Sequence, residues 1–235
     1  MRQIPHYLII GSGRLSSHLS HYFTLSNLAF NIWNRLIGNL EHLVSISDVI
    51  ILAISDDAIP GFIEQNPIIK DKILIHCSGS MNIDDTIAIH PLMSFGKELY
   101  DYHIYQKIPF LIDSKLEDFK NIFPQLNNQV YLISKTQKAY YHALCVMSGN
   151  FTTILWSKLF NELESTLCIP KEAAFSYLKA TTNNLLKDHT KALTGPLVRG
   201  DVVTISKNLE ALRNDNFLPI YEAFITSWRK NNEHQ

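Results

Sequence analysis

Gly11 and Gly13 follow an apolar run at residues 6–10 and precede Leu15, Leu19, Tyr22 and Phe23, which recur at helical spacing. A glycine turn between a strand and a helix lets a pyrophosphate approach bare backbone N–H groups at the helix N-terminus. In the Gly-x-Gly-x-x-Gly pattern the first glycine permits the turn, the second admits the phosphates and the third lets helix and strand pack closely. The third place here is Ser16, small enough to keep most of that packing. Gly11, Ser12, Gly13, Arg14 and Leu15 are therefore a candidate dinucleotide loop, with an ordinary strand-to-helix turn as the competing reading. About twenty residues on, where a second strand should end and an acidic residue would hold the ribose of NAD, stand Asn34 and Arg35. Arginine suits the additional 2′-phosphate of NADP, so Asn34 and Arg35, with Arg14 able to assist, point to that cofactor. A solvated arginine after a strand is the competing reading.

The elements that must position these residues are legible as runs of apolar residues. "HYLII", "FNIWNR", "SDVIILAIS", "KILIHCSGS", "IPFLID" and "QVYLIS" read as strands, and residues 114–125 as a helix. Continuous apolar runs separated by helix-length segments favour a mostly parallel sheet covered by helices, an α/β fold. After Lys135 the pattern becomes helical, with a break at Ile169-Pro170 and a loop "LTGPLVRGD". A boundary near residue 134 thus divides an α/β part, 1–133, from an all-helical part, 134–235. The polar end "KNNEHQ" is the stretch expected to be disordered.

Composition limits the function. The 235 residues are 46% hydrophobic and 18% charged with a formal net charge of -1, which gives no general attraction to nucleic acid or to an acidic membrane surface. Three cysteines in unrelated contexts, none in a CxxC pair, offer no metal site and suit a reducing cytoplasm. The apolar opening is short and reads as a strand instead of a signal peptide, and no segment approaches the length of a membrane span.

The segments "LIIGSGRLSSHL", "VIILAISDDAI", "ILIHCSGS", "HPLMSF", "KAYYHALCVMSGNF" and "LTGPLVRGD" occur in an order that resembles bacterial proteins joining a Rossmann-like domain to a helical C-terminal domain of unknown function. More distantly, the layout is similar to pyrroline-carboxylate reductases, prephenate dehydrogenases and β-hydroxyacid dehydrogenases. The resemblance implies a Rossmann-like NAD(P)-binding domain over 1–133 and a helical domain over 134–235 that makes a homodimer and completes the substrate site. It also implies contacts beyond the glycine loop. Ser55 and Asp56 would stand beside the adenosine and pyrophosphate, and Ser78 and Gly79 near the nicotinamide. His90 matches a histidine that contacts the reacting hydroxyl in prephenate dehydrogenases, and it falls in an expected loop after the sheet.

Reduction of a carbonyl or imine needs a proton donor, and histidine suits that role near neutral pH. Of ten histidines, His76, His90 and His142 lie in the resembling segments, and His76 is at least as well explained by a hydrogen-bonded structural role. Lys138 and His142, four residues apart, share a helix face, and Asn150 is rotated from His142 by only about 80°. β-Hydroxyacid dehydrogenases carry an asparagine one turn after the lysine, where this chain has His142, a departure that weakens that particular activity. A lysine and a histidine on a solvated helix face are the competing reading. Thr194 and Arg199 are candidate substrate contacts, the arginine for a carboxylate, while Asp201 could cap the helix that follows. The expectation is an NADP-dependent oxidoreductase acting on a small anionic carbonyl, imine or hydroxy compound. Its alternative is a dinucleotide-binding or regulatory protein that keeps the reductase fold without turnover, and beyond that a fold that binds no dinucleotide.

Overall fold

A computed structural model describes residues 5–232 of the chain. The first half alternates strands and helices: β1 (Tyr7–Ile10), α1 (Arg14–Leu25), β2 (Phe30–Trp33), α2 (Leu40–Ser45), β3 (Val49–Leu52), α3 (Ile59–Gln65), β4 (Ile73–His76) and β5 (Ile87–Pro91). A short helix α4 (Tyr102–Tyr105), β6 (Phe110–Ile112), α5 (Leu116–Ile122) and β7 (Val130–Leu132) follow. The seven strands form one sheet in the order β2-β1-β3-β4-β5-β6-β7. All neighbours are parallel except β5 and β6, which pair antiparallel. The mostly parallel sheet expected from the continuous apolar runs is present, and its Rossmann-like order is the one the resemblance implies.

Strand alternation feeds two cores. Tyr7 and Ile9 of β1 face a cluster with Leu19, Tyr22 and Phe23 of α1 and with Phe119 and Ile122 of α5. Leu8 and Ile10 face the other side, against Val44 of α2 and Ile59 of α3. Burial on both faces is why β1 and β3 read as unbroken apolar runs.

β5 was not expected, since only Ile87, Ala88 and Ile89 are apolar before a histidine and a proline, and the segment reads as loop. His90 therefore lies within a strand, paired with Leu111, and not in a loop. Asp113 makes the strand: its carboxylate accepts the N–H of Ala88 at 2.9 Å, and its own N–H donates to Ala88 oxygen.

The remaining helices are α6 (Lys138–Cys145), a π-helical turn at Val146–Phe151, α7 (Thr152–Ser165), α8 (Phe175–Lys187), α9 (Pro196–Arg199), α10 (Val202–Ala211) and α11 (Leu218–Asn232). The chain divides by compactness into one unit ending at Ile154 and a second beginning at Leu155. Residue 134 marks the change from strand to helix, and the compact sheet unit also takes in α6 and the π turn. Asp201 caps α10 by accepting the Thr204 N–H at 3.0 Å, as its position before "VVTISKNLEAL" suggests. Helix α11 runs to Asn232, so the expected disordered end is helical over residues 230–232; residues 233–235 lie outside those described.

Candidate active site

In a parallel sheet whose order runs 2-1-3, consecutive connections leave β1 in opposite directions, and the crevice beyond the carboxyl ends of β1 and β3 is where ligands bind. A cleft of about 1460 Å³ opens there within the first unit. Gly11, Ser12, Gly13, Arg14 and Leu15 line it, together with Asn34, Arg35, Ser55 and Asn150.

The two glycines do different work. Gly11 has φ +145°, and a Cβ on it would stand 2.2 Å from the carbonyl oxygen of Ala53, so the backbones of β1 and β3 meet where only glycine fits. Gly13 precedes α1 with an ordinary φ of -82°, and nothing lies within 4 Å of the place a Cβ would occupy. That open space faces the helix N-terminus, where backbone N–H groups attract anions. Ser16, the departure from the glycine pattern, is buried, and its hydroxyl donates to the Gly11 oxygen at 2.9 Å. The serine thus ties the turn that a third glycine would only have admitted.

At the far side of the cleft, Asn34 accepts the Leu36 N–H at 2.9 Å and shapes the turn after β2. Arg14 and Arg35 are exposed, and among the described residues neither guanidinium has a hydrogen bond or ion pair. Bare backbone at Gly13 with two unpaired guanidiniums on the same cleft fits a dinucleotide carrying an extra phosphate. Among the described residues no group of three or more histidine, cysteine or acidic side chains is placed to hold a metal ion.

A second cluster occupies the same carboxyl edge at β4 and β5. His90 and His142 stand edge to face with ring centroids 6.0 Å apart. Gly79 lies against both: a Cβ there would be 2.7 Å from His142 Cδ2 and 3.0 Å from His90 Nε2. Burial, then the neighbouring His142, lowers the His90 pKa to about 4, so its imidazole is neutral at physiological pH. Ser94 and Phe95, which follow β5, line the cleft, while His90, His142 and Gly79 stand at the same carboxyl edge outside its lining.

Other expected residues have structural partners. The Ser78 hydroxyl donates to Asp56 at 2.5 Å and accepts the Met81 N–H at 3.1 Å, bridging the ends of β3 and β4. Neither residue lines the cleft, whereas Ser55 does. His76 is fully buried and accepts the Ser78 N–H at 3.3 Å; burial, then Lys138, lowers its pKa to about 4. Lys138 is not on a solvated face. It is 2% exposed, donates to the Met81 oxygen and pairs with Asp113 at 3.1 Å, fastening α6 to the sheet.

Asn150 sits in the π-helical turn, so the angle expected from a continuous α-helix does not apply, and the turn sets it in the cleft with Thr153 and Ile154. Thr152 and Thr153 donate to the Gly149 oxygen, satisfying a carbonyl at the wider turn. Thr194 and Arg199 are exposed in the second unit, where the Arg199 guanidinium stands 3.9 Å from the Asp201 carboxylate. Sequence reasoning missed Asp113 and Tyr141; Tyr141 meets His90 across the edge of β5, a strand that was itself unexpected.

Residues 108–227, just over half of the chain, match the domain of unknown function DUF2520. No curated protein sequence matches the chain. Among solved structures, a Bacteroides fragilis protein described as a candidate NADP oxidoreductase is similar at 21% identity, with a TM-score of 0.77 over 96% of this chain and 98% of its own. A Thermotoga maritima protein shares 18% identity with a TM-score of 0.67, covering 97% of this chain and 100% of its own. Plasmodium falciparum pyrroline carboxylate reductase, solved with NADP bound, shares 12% identity with a TM-score of 0.59 over 97% of each chain. These likenesses establish the fold, and with the match over 108–227 the chain belongs to the DUF2520 family.

Proposed function

We propose that the protein is an NADP-dependent oxidoreductase that transfers a hydride to or from a small anionic carbonyl, imine or hydroxy compound. The observation that carries this reading is the cleft at the β1/β3 crevice, where open backbone at Gly13 and the unpaired Arg14 and Arg35 face the same space. The NADP-bound pyrroline carboxylate reductase of the same fold supports it. NADP, when bound, supplies the hydride; the residues of the chain bind and orient. Gly11 to Leu15 would cradle the pyrophosphate and Arg35 the 2′-phosphate. Ser55 and Asn150 line the cleft between them. His90, with His142 beside it, would donate to the oxygen or nitrogen of the reacting group.

Nucleotide-free protein titrated with NADPH and NADH, followed by nicotinamide fluorescence and by heat, tests the assignment. Expected are micromolar, NADPH-selective binding and an Arg35→Ala variant that loses NADPH far more than NADH. Binding of neither dinucleotide would end the oxidoreductase reading, and equal loss of both in the variant would end the NADP assignment. One observation favours a dinucleotide-binding protein without turnover: Lys138, a catalytic candidate, is locked in its ion pair with Asp113. Tight NADPH binding with no hydride transfer to any carbonyl or imine offered would select that alternative.

The chain is also read as a cytoplasmic homodimer. Exposed Tyr177, Leu186, Val203 and Phe224 in the second unit leave apolar surface that a second copy would cover. A light-scattering mass near 26.9 kDa at micromolar concentration would refute the dimer.

A further inference from the structure

Tyr141 stands on α6 beside His142, with its hydroxyl 2.9 Å from Nδ1 of His90 and the two rings edge to face at 5.5 Å. Cys145 lies one turn further along the same helix. A phenol O–H is a better donor than an imidazole N–H, and an imidazole nitrogen is a better acceptor than a phenol oxygen. The favoured arrangement therefore has the Tyr141 O–H donating to Nδ1. When Nδ1 accepts, the single proton of a neutral ring must reside on Nε2. Nε2 and Cδ2 form the edge of the His90 ring that packs on Gly79, each 3.0 Å from where a Cβ there would be.

We propose that Tyr141 is a positioning residue that locks His90 in its Nε2–H tautomer, with that proton on the ring edge that packs against Gly79. The proposal rests on the reading of His90 as the group that meets the substrate, and it specifies how. Burial and the adjacent His142 keep the ring neutral, and burial pushes the Tyr141 hydroxyl well above its usual range, so it keeps its proton. His90 then acts on the reacting oxygen or nitrogen as a neutral hydrogen-bond donor at fixed geometry, not as an imidazolium. Glycine at 79 lets both rings pack on the backbone, since a Cβ there would be 2.7 Å from His142 Cδ2 and 3.0 Å from His90 Nε2.

The tautomer is measurable without a substrate. In protein carrying ¹⁵N-labelled histidine at pH 7, long-range ¹H–¹⁵N correlations of His90, assigned by their loss in His90→Gln, should show a protonated Nε2 and an unprotonated Nδ1. In Tyr141→Phe the two nitrogens should move toward averaged shifts while NADPH affinity stays within about twofold. A protonated Nδ1 in the wild type overturns the proposal, as do unchanged His90 shifts in Tyr141→Phe. The wild-type spectrum suffices should that variant fail to fold. Failure of the cofactor reading is separately visible in the NADPH titration, which does not depend on the tautomer.

Discussion

The two glycines of the opening loop separate folding from binding at the level of single atoms. At Gly11 a methyl group meets the Ala53 oxygen at 2.2 Å in a backbone conformation that alanine rarely adopts. Gly11→Ala should cost about 3 kcal/mol or more, since strain and a backbone clash add. At Gly13 the φ is ordinary and the space is open, so Gly13→Ala should change stability by under about 1 kcal/mol, the scale of an N-cap exchange. If a pyrophosphate lies over Gly13, the same methyl group should weaken NADPH by at least about tenfold. Urea unfolding and calorimetric titration of both variants check this. Unaltered NADPH affinity in Gly13→Ala would show that the phosphates lie elsewhere. This division was legible in the sequence because the pattern assigns a separate task to each glycine. The hydroxyl of Ser16 was not, because nothing in the spacing shows that a third-position serine can bond back to Gly11.

At the scale of elements, α6 is fastened to the sheet by one buried ion pair. Burial lowers the Lys138 pKa, and Asp113, which also accepts the Ala88 N–H, opposes that effect. Removing one partner strands the other charge, so Lys138→Met should destabilise the first unit by about 3–5 kcal/mol. Adding Asp113→Asn removes the stranded charge while keeping an acceptor for Ala88, and the double variant should recover at least about half of that loss. Denaturant midpoints of the three variants give the coupling, and additive losses would mean that the pair is not the fastening. Strands buried on both faces were readable from their apolar runs, and the glycine loop from its place after the first of them. β5 was not, because it is held by pairing between β4 and β6 and by Asp113, contacts that no local pattern shows. Without β5 in view, the sequence makes His90 a loop residue and Lys138 a solvated or catalytic one, and offers Tyr141 no partner that suggests its role. The π-helical turn at 146–151 was hidden for a related reason, since its wider spacing leaves no residue pattern that distinguishes it from α-helix.

For the whole molecule, buried His76 and half-buried His90, both held neutral, make acid stability unusual in its onset. His76 and His90 have pKa values of about 4 in the folded chain, against about 6.5 for an unfolded histidine. Between those values the unfolded state binds more protons than the folded one, so stability falls as pH decreases from about 6.5 toward 4. Above that window neither state is protonated at these sites, and below it both are, so neither region carries a slope from them. Each histidine contributes at most about 1.4 kcal/mol per pH unit inside the window. The loss therefore begins well above the range in which carboxylates titrate. The effect belongs to the first unit, where both residues lie, and Trp33 is the tryptophan of that unit. In a background with Trp156→Phe and Trp228→Phe, Trp33 fluorescence during urea unfolding should show a midpoint that drops steadily from pH 6.5 to pH 4.5. Replacing both histidines by glutamine should flatten that dependence even though it lowers stability at pH 7. A midpoint independent of pH across this window in the unsubstituted histidine background would mean that the two rings are hydrated and protonate freely. The neutral His90 on which the hydrogen-bond donor role depends would then be lost with them.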